Sequence, residues 1–361
     1  MLALMLNTVT FSADLLHWYD SAAADLPWRR SSNPYLIWLS EIMLQQTQVT
    51  AVIPYFQRFT AAFPTVEALA AAPLDRVLKQ WEGLGYYSRA RNLHRTAQVI
   101  AARGSFPWTA AELQQLSGIG RYTANAIASI AFGEAVAVLD GNVIRVLSRL
   151  DDLVDDVSKP ATQNKLWERT TALLNQERPG DHNQAMMELG RMICRPRAPL
   201  CLICPVAMHC ASFAHNTQGQ RPVKPKKART PHYDVAAGVI WHPSGDGRVL
   251  IAQRPAEGLL GGLWEFPGGK QESGETIEQT LIRELQEELG ITVEVGNLLT
   301  TVDHAFTHFR ITLFAFDCQL IKGDPQPIGC ADWRWVHLNE LEHFAFGKAD
   351  QQVIALLGRN F

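Results

Sequence analysis

Leu116-Ser-Gly-Ile-Gly-Arg-Tyr-Thr-Ala124, followed some twenty residues on by Val138-Leu-Asp-Gly-Asn-Val143, is the stretch from which the rest of the chain can be read. Gly118 and Gly120 accept φ values closed to other residues, so the first segment predicts a tight turn entering a helix. Amides bared at such a helix start attract phosphate. Ala124, Ile127, Ala128 and Ala131 recur at helical spacing and predict one buried face for the second helix. Taken alone, a Gly-x-Gly turn is weak evidence, and an Asp before Gly-Asn is most often a helix N-cap.

With 361 residues the chain has room for two or three domains, each with its own core. Its net charge of −3 means that a nucleic-acid partner would have to be met by clustered basic residues. The sequence holds no apolar run approaching a membrane span, and Met1–Leu6 lacks the flank of a secretory signal, so a cytosolic protein is expected. Four of six cysteines, Cys194, Cys201, Cys204 and Cys210, crowd into seventeen residues as C-x6-C-x2-C-x5-C. That suits one metal centre in a reducing compartment, and the chemistry alone leaves zinc and a four-iron cluster open. Cys318 and Cys330 stand apart and read as packed thiols.

From Phe11 to about His215 the pattern is helical. Thr217–Pro231, with Arg221, Lys224, Lys226, Lys227 and Arg229, reads as a basic tether able to lie along a nucleic-acid backbone. Beyond it, Asp234–Trp241 and Arg248–Gln253 predict strands and Thr276–Gly290 an amphipathic helix, which makes this part α+β. In the helix predicted from Tyr35 to Gln48, Glu41 sits among Trp38, Leu39, Ile42 and Leu44. Burial there would raise its pKa and keep it available as a proton donor.

Trp38-Leu-Ser-Glu-Ile-Met-Leu-Gln-Gln-Thr47 and Gly83-Leu-Gly-Tyr-Tyr87, with the hairpin and Asp140, resemble the MutY family of adenine DNA glycosylases in the endonuclease III superfamily. The resemblance implies a multidomain fold: an all-α helix-hairpin-helix glycosylase region with an iron–sulfur loop, then an α+β Nudix or MutT-like domain. The expected boundaries are 1–29 with 139–215 for the cluster domain, 30–138 for a six-helix barrel, 216–232 for the linker and 233–361 for the MutT-like domain. It further implies removal of adenine paired with 8-oxoguanine or guanine in double-stranded DNA, by a monomer. Glu41 then protonates the departing base, Asp140 stabilises the cationic sugar and Tyr122 lies beside it. Leu26, Trp28, Arg29 and Gln184 line the adenine pocket, while Gln46, Tyr86, Gly118, Gly120 and Thr123 meet DNA. The four clustered cysteines hold a 4Fe-4S cluster, in a loop that Arg195, Arg197 and His209 suit to phosphate.

Tyr122 stands where endonuclease III carries the lysine that forms a Schiff base, so a monofunctional enzyme is expected rather than a lyase on oxidised pyrimidines. Gly261–Lys270 and Phe306-Thr307-His308 resemble the 8-oxoguanine-reading part of MutY, although that family commonly has Phe-Ser-His. Thr307 keeps the hydroxyl. MutY proteins usually carry a degraded Nudix box, yet here Gly269-x5-Glu275-x7-Arg283-Glu284-Leu285-x-Glu287-Glu288-x-Gly290-Ile291 satisfies the whole pattern. Glu284, Glu287 and Glu288 are therefore candidate Mg²⁺ ligands for a further hydrolase activity on 8-oxo-dGTP or related nucleotides. The preferred alternative is a scaffold whose acids are solvated or pair with Arg283 and Lys270, in a domain kept for lesion recognition. A Nudix pyrophosphatase that is only tethered to DNA is the remaining reading.

Overall fold

In a computed structural model, residues 8–225 and 230–360 are described. Met1–Leu6 and the basic residues Lys226, Lys227 and Arg229 fall outside them. The helices run α1 Thr8–Ala22, α2 Pro34–Leu44, α3 Val49–Ala62, α4 Val66–Ala71, α5 Leu74–Trp81, α6 Ser88–Arg103, α7 Ala110–Leu113, α8 Arg121–Phe132, α9 Gly141–Leu150, α10 Pro160–Leu173, α11 Pro179–Met192 and α12 Ala211–Ala214. After them come β1 His232–Trp241, β2 Arg248–Gln253, β3 Trp264–Glu265, α13 Ile277–Leu289, β4 Thr292–Ala305, β5 Arg310–Lys322, β6 Asp332–His337 and α14 Lys348–Asn360.

The chain divides into two compact units. One joins residues up to Ala70 with Arg95–Lys227, and the other joins Ala71–His94 with Ala228–Phe361. The segment holding α5 and Gly83–Tyr87, expected inside the helical barrel, thus packs with the C-terminal region. Polar contacts between them explain why, as described below.

In the helical unit α8 is enclosed on all sides, with Thr123 through Ser129 buried, whereas the spacing suggested one buried face. Its small residues allow the close approach of α2, α7 and α11. Gly118 takes φ +77° and Gly120 caps α8, as the turn reading requires, but α7 ahead of them is a single turn. Asp140 is the N-cap of α9: its Oδ1 accepts the Val143 amide at 2.7 Å. Behind these elements Phe11, Leu15, Leu147, Met186 and Leu189 form a core shared by α1, α9 and α11. The helix expected to reach Gln48 stops at Leu44, because Gln46 turns the chain through φ +57°.

In the second unit the sheet order is β3-β2-β1-β5-β4, with β6 also on β2. β1 runs parallel to β5 and antiparallel to β2. The stripe Leu281, Leu285 and Leu289 of α13 is fully buried against Ala236, Ile240 and Phe316, as its four-residue spacing predicts. A capping box at Thr276 starts the helix and left-handed Gly290 ends it.

The start of the expected tether is fastened rather than free. Arg221 pairs with Asp152 at 2.9 Å, and the Val157 amide donates to the Val223 carbonyl. Among the described residues no helix is long and apolar enough to cross a membrane.

Candidate active site

Three backbone features deliver side chains to one cleft of about 470 Å³ in the helical unit. These are the C-terminal half of α2, the first turn of α8 and the N-cap of α9. Glu41 projects from α2 and is only 7% exposed. The Tyr122 hydroxyl donates to its Oε2 at 2.7 Å, and Met187 Sδ lies 3.2 Å from the same hydroxyl. Burial pushes the Glu41 carboxyl up to about 7, reinforced by the charge of Asp140 and moderated by Tyr122 and Arg29. Asp140 lies across the cleft and is also raised by burial, against the opposing amides of Val143 and Asn142. Burial likewise holds the Tyr122 phenol well above its ordinary range, so it stays a donor.

Two carboxyl groups in one cleft with unequal partners divide acid from ion. Glu41 accepts one hydrogen bond and is half protonated near neutrality. Asp140 is held by a backbone amide and by Asn142 Nδ2 at 2.9 Å, which favour its anion. Such a pair can protonate a leaving group while an anion faces the cation left behind.

Leu26, Trp28, Arg29 and Gln184 all line this cleft, as expected from the sequence. Trp28 is buried edge-on against Phe56, with ring centroids 5.3 Å apart. Arg29 donates to Glu188 Oε2 at 3.1 Å, and Glu188 also binds Arg191. Burial alone would raise the Glu188 carboxyl, but the two arginines bring it below its usual range. Glu188, Met187 and Arg191 were missed in the sequence. Their signal was spacing, since they follow Gln184 at three, four and seven residues on α11 and share its face.

Exposed Gln46 is also among the lining residues. Gly118 and Gly120 are exposed, and open space surrounds a Cβ built at Gly120, so a phosphate can approach the hairpin. Thr123 departs from its expected role: it is 3% exposed, and its hydroxyl accepts from Gln45 Nε2 at 3.3 Å. Its side chain is interior because the first turn of α8 is already covered by α2.

Asp140 is connected to the cysteine loop. Asn142 donates to Asp140 and accepts from Arg145, whose Nε donates to the Cys194 carbonyl at 2.7 Å. Buried Arg149 donates to the Cys194 sulfur at 3.3 Å and to the Arg195 carbonyl. Burial, reinforced by the charges of the neighbouring thiols, pushes Cys204 up to about 12 and Cys210 up to about 11. They form no disulfide.

Among the described residues no three His, Cys, Asp or Glu side chains come within reach of one ion. Four thiols on one loop, with backbone amides at Cys204 and Cys210 and Arg149 at Cys194, are a donor set that suits a polynuclear cluster. Arg195 and Arg197 are exposed on this loop, whereas His209 is committed to Asp14 at 2.9 Å and is not free for phosphate.

In the second unit the Tyr86 hydroxyl and the Thr307 hydroxyl are hydrogen-bonded, which joins a residue expected to meet DNA to one expected to read the lesion, 221 positions apart. Tyr86 has φ +49°, is 40% exposed, and carries the Arg89 guanidinium over its ring. Phe306 packs on Phe309 and His304 in the turn between β4 and β5, and His308 is exposed.

Among the described residues the Nudix acids are divided between one arginine and the domain interior. Arg283 binds Glu275, Glu284 and Glu287 together, while Glu288 turns inward toward Glu265, which Arg254 holds. Glu287, paired with Arg283, is exposed. Lys270 lies over the Tyr233 ring rather than among the acids.

Residues 39–172 match the HhH-GPD superfamily of base excision DNA repair proteins, and residues 236–356 match the NUDIX domain. Adenine DNA glycosylase of Rattus norvegicus is 36% identical across 96% of this chain and 78% of its own length. That of Homo sapiens is 36% identical across 96% and 74%. A thermostable thymine-DNA glycosylase structure is 26% identical with a TM-score of 0.52, over 58% of this chain and 97% of its own. An endonuclease III–DNA complex, 23% identical with a TM-score of 0.50, covers 59% of this chain and 100% of its own and shares the fold.

Proposed function

The chain belongs to the adenine DNA glycosylase family, and on that premise we propose how its residues act on adenine opposite 8-oxoguanine or guanine in duplex DNA. The Glu41–Tyr122 hydrogen bond, in a cleft shared with Asp140, is the observation that carries the reading. An adenine extruded from the stack enters between Leu26, Trp28 and Arg29. The Glu41 carboxyl gives its proton to the base, and the N-glycosidic bond breaks with its electron pair leaving on adenine. Asp140 stabilises the sugar cation. Water then adds to the sugar and returns a proton to Glu41, so the enzyme ends as it began.

Without a lysine at position 122 no Schiff base forms there, and the abasic strand stays intact. The protein acts as a monomer in this reading. Gly118, Gly120 and Gln46 face the DNA, and Tyr86, Phe306, Thr307 and His308 read the lesion opposite the adenine.

Cys194, Cys201, Cys204 and Cys210 would hold the 4Fe-4S cluster. When bound it supplies a cross-link for the loop rather than acid–base chemistry. The expected three-part division, with cluster domain, barrel and MutT-like domain, is retained as a functional one. Because Arg283 holds Glu275, Glu284 and Glu287, we assign no Mg²⁺ step to the Nudix box.

A Glu41→Gln variant tests the site on a duplex with adenine opposite 8-oxoguanine. Loss of adenine release with retained duplex binding is expected. Release at an undiminished rate, or strand cleavage without alkali in the parent protein, would overturn the assignment.

A further inference from the structure

The loop Gly83–Tyr87 reaches the sheet domain from a distant part of the chain, and something must set its register. Its own turn is tightly braced. The Gly83 amide donates to the Tyr87 hydroxyl, Trp81 Nε1 donates to the Gly85 carbonyl, and Arg89 donates to the Leu84 and Gly85 carbonyls. Bracing of this kind fixes the shape of the loop, not where it sits on the sheet.

That place is determined just upstream, where α5 ends at Glu82. Residues 344–346 form a short edge whose Ala345 carbonyl accepts the Trp264 amide of β3. The alternate groups of this edge point the other way. The Phe346 amide donates to Glu82 Oε1 at 2.9 Å, and the Phe344 carbonyl accepts from Lys79 Nζ at 2.9 Å. Lys79 and Glu82 close the arrangement with their own bond of 2.8 Å. One donor and one acceptor of the edge are thereby matched to one anion and one cation, a pairing that admits a single register.

Exposed ion pairs contribute little, but these side chains retain only 29% and 17% exposure, and each also bonds main chain. Secondary contacts follow the same direction: Asp75 accepts from Gln253, and the Arg91 guanidinium donates to the Gly261 carbonyl.

We propose that Lys79 and Glu82 are positioning residues that seat the Tyr86 loop on the sheet domain, and that this seating, through the Tyr86–Thr307 contact, sets the preference for 8-oxoguanine opposite adenine. The proposal rests on the reading of Tyr86 and Thr307 as lesion contacts. Lys79 and Glu82 spend their polar groups on each other and on residues 344–346. Their loss changes how often Tyr86 and Thr307 are presented together, so it weakens recognition of the lesion without changing the chemical step.

The test uses the full chain carrying Glu82→Ala, Glu82→Gln, Lys79→Met or Thr307→Ala. Single-turnover excision is followed on duplexes with adenine opposite 8-oxoguanine or opposite guanine, at limiting and saturating protein. Glu82→Ala should lower the limiting-protein rate on the 8-oxoguanine duplex by about tenfold, the worth of one charge-assisted bond, and leave the saturated rate and the guanine duplex unchanged. Glu82→Gln, whose amide oxygen can still accept the Phe346 amide, should recover part of the loss. Lys79→Met carries the same test if Glu82→Ala does not fold. An equal loss on both duplexes, or no loss in either clasp variant, overturns the clasp. Unchanged discrimination in Thr307→Ala instead overturns the lesion-contact reading beneath it.

Discussion

Replacing Tyr122 by Phe should move the pH dependence of excision upward, and replacing Asp140 by Asn should move it downward. Glu41 is held near 7, about half protonated at neutrality, because burial and the Asp140 charge oppose its ionisation while the Tyr122 hydroxyl and Arg29 favour it. If the protonated carboxyl is the donor, the rate falls as pH rises through that value. The Tyr122 hydrogen bond of 2.7 Å stabilises the anion. A bond to a charged group is worth roughly 1.5–3 kcal/mol, and repacking around Phe recovers part of that, so the falling limb should move up by about one pH unit. Asp140→Asn removes an anion that raises Glu41, so the limb should move the other way. The assay is single-turnover excision with enzyme in excess, from about pH 5 to about pH 9, reading the position of the falling limb and not its height. Both variants lose rate for other reasons, but a midpoint is independent of amplitude. A midpoint that stays put in both, or moves in one direction in both, would refute the assignment of Glu41 as the titrating acid.

Glu41→Gln should stabilise the fold at neutral and higher pH. The folded pKa lies above the ordinary 4.5, so the wild-type site is fully stable below about 4.5 and loses stability as pH rises through about 7. The difference approaches about 3 kcal/mol above that window and should vanish in acid, as thermal unfolding at two pH values would show. Gly190→Ala should destabilise by about 1–3 kcal/mol and slow excision as well, since its Cβ would fall 2.6 Å from the Asn142 side chain that supports Asp140. Denaturant unfolding beside the single-turnover rate checks both halves, and an unchanged rate in the folded variant would count against that support. The full chain with Mg²⁺ should not hydrolyse 8-oxo-dGTP, because Arg283 holds Glu275, Glu284 and Glu287 of the box. Pyrophosphate release that disappears in Glu288→Gln would show the box to be active.

The sequence spoke clearly wherever a signal was local. The strand β2, the α13 stripe with its caps, and the Asp140 cap each depend on residues within a turn or two of one another, and each is found where the pattern placed it. Glu41 was legible because a carboxylate among large apolar residues is costly unless it serves something. What failed was long-range. Thr123 lies in the hairpin motif, but α2 covers it, a fact no window around residue 123 contains. Arg221 looks like a tether residue by composition, yet Asp152, 69 positions earlier, claims it. The attachment of Ala71–His94 to the C-terminal region is of the same kind, since Glu82 and Phe346 carry no sequence sign of each other.

Asp140 illustrates why a catalytic assignment here cannot rest on one substitution. Its Oδ1 caps α9, and its Oδ2 is bound by Asn142, which connects through Arg145 to the cysteine loop. Removing the side chain to Ala would therefore lose a helix cap, worth about 1 kcal/mol, together with any charge acting on the sugar. An Asn at this position keeps an oxygen for the Val143 amide and so keeps the cap while discarding the anion. If the carboxylate acts as an anion, Asn and Ala should slow excision alike, by at least about a hundredfold, though only Ala lowers stability. If Asp140 serves only as a cap, Asn should excise nearly as fast as the parent protein. The comparison separates the two roles because the geometry assigns them to different properties of one side chain: an acceptor oxygen for the fold, and a negative charge for the reaction.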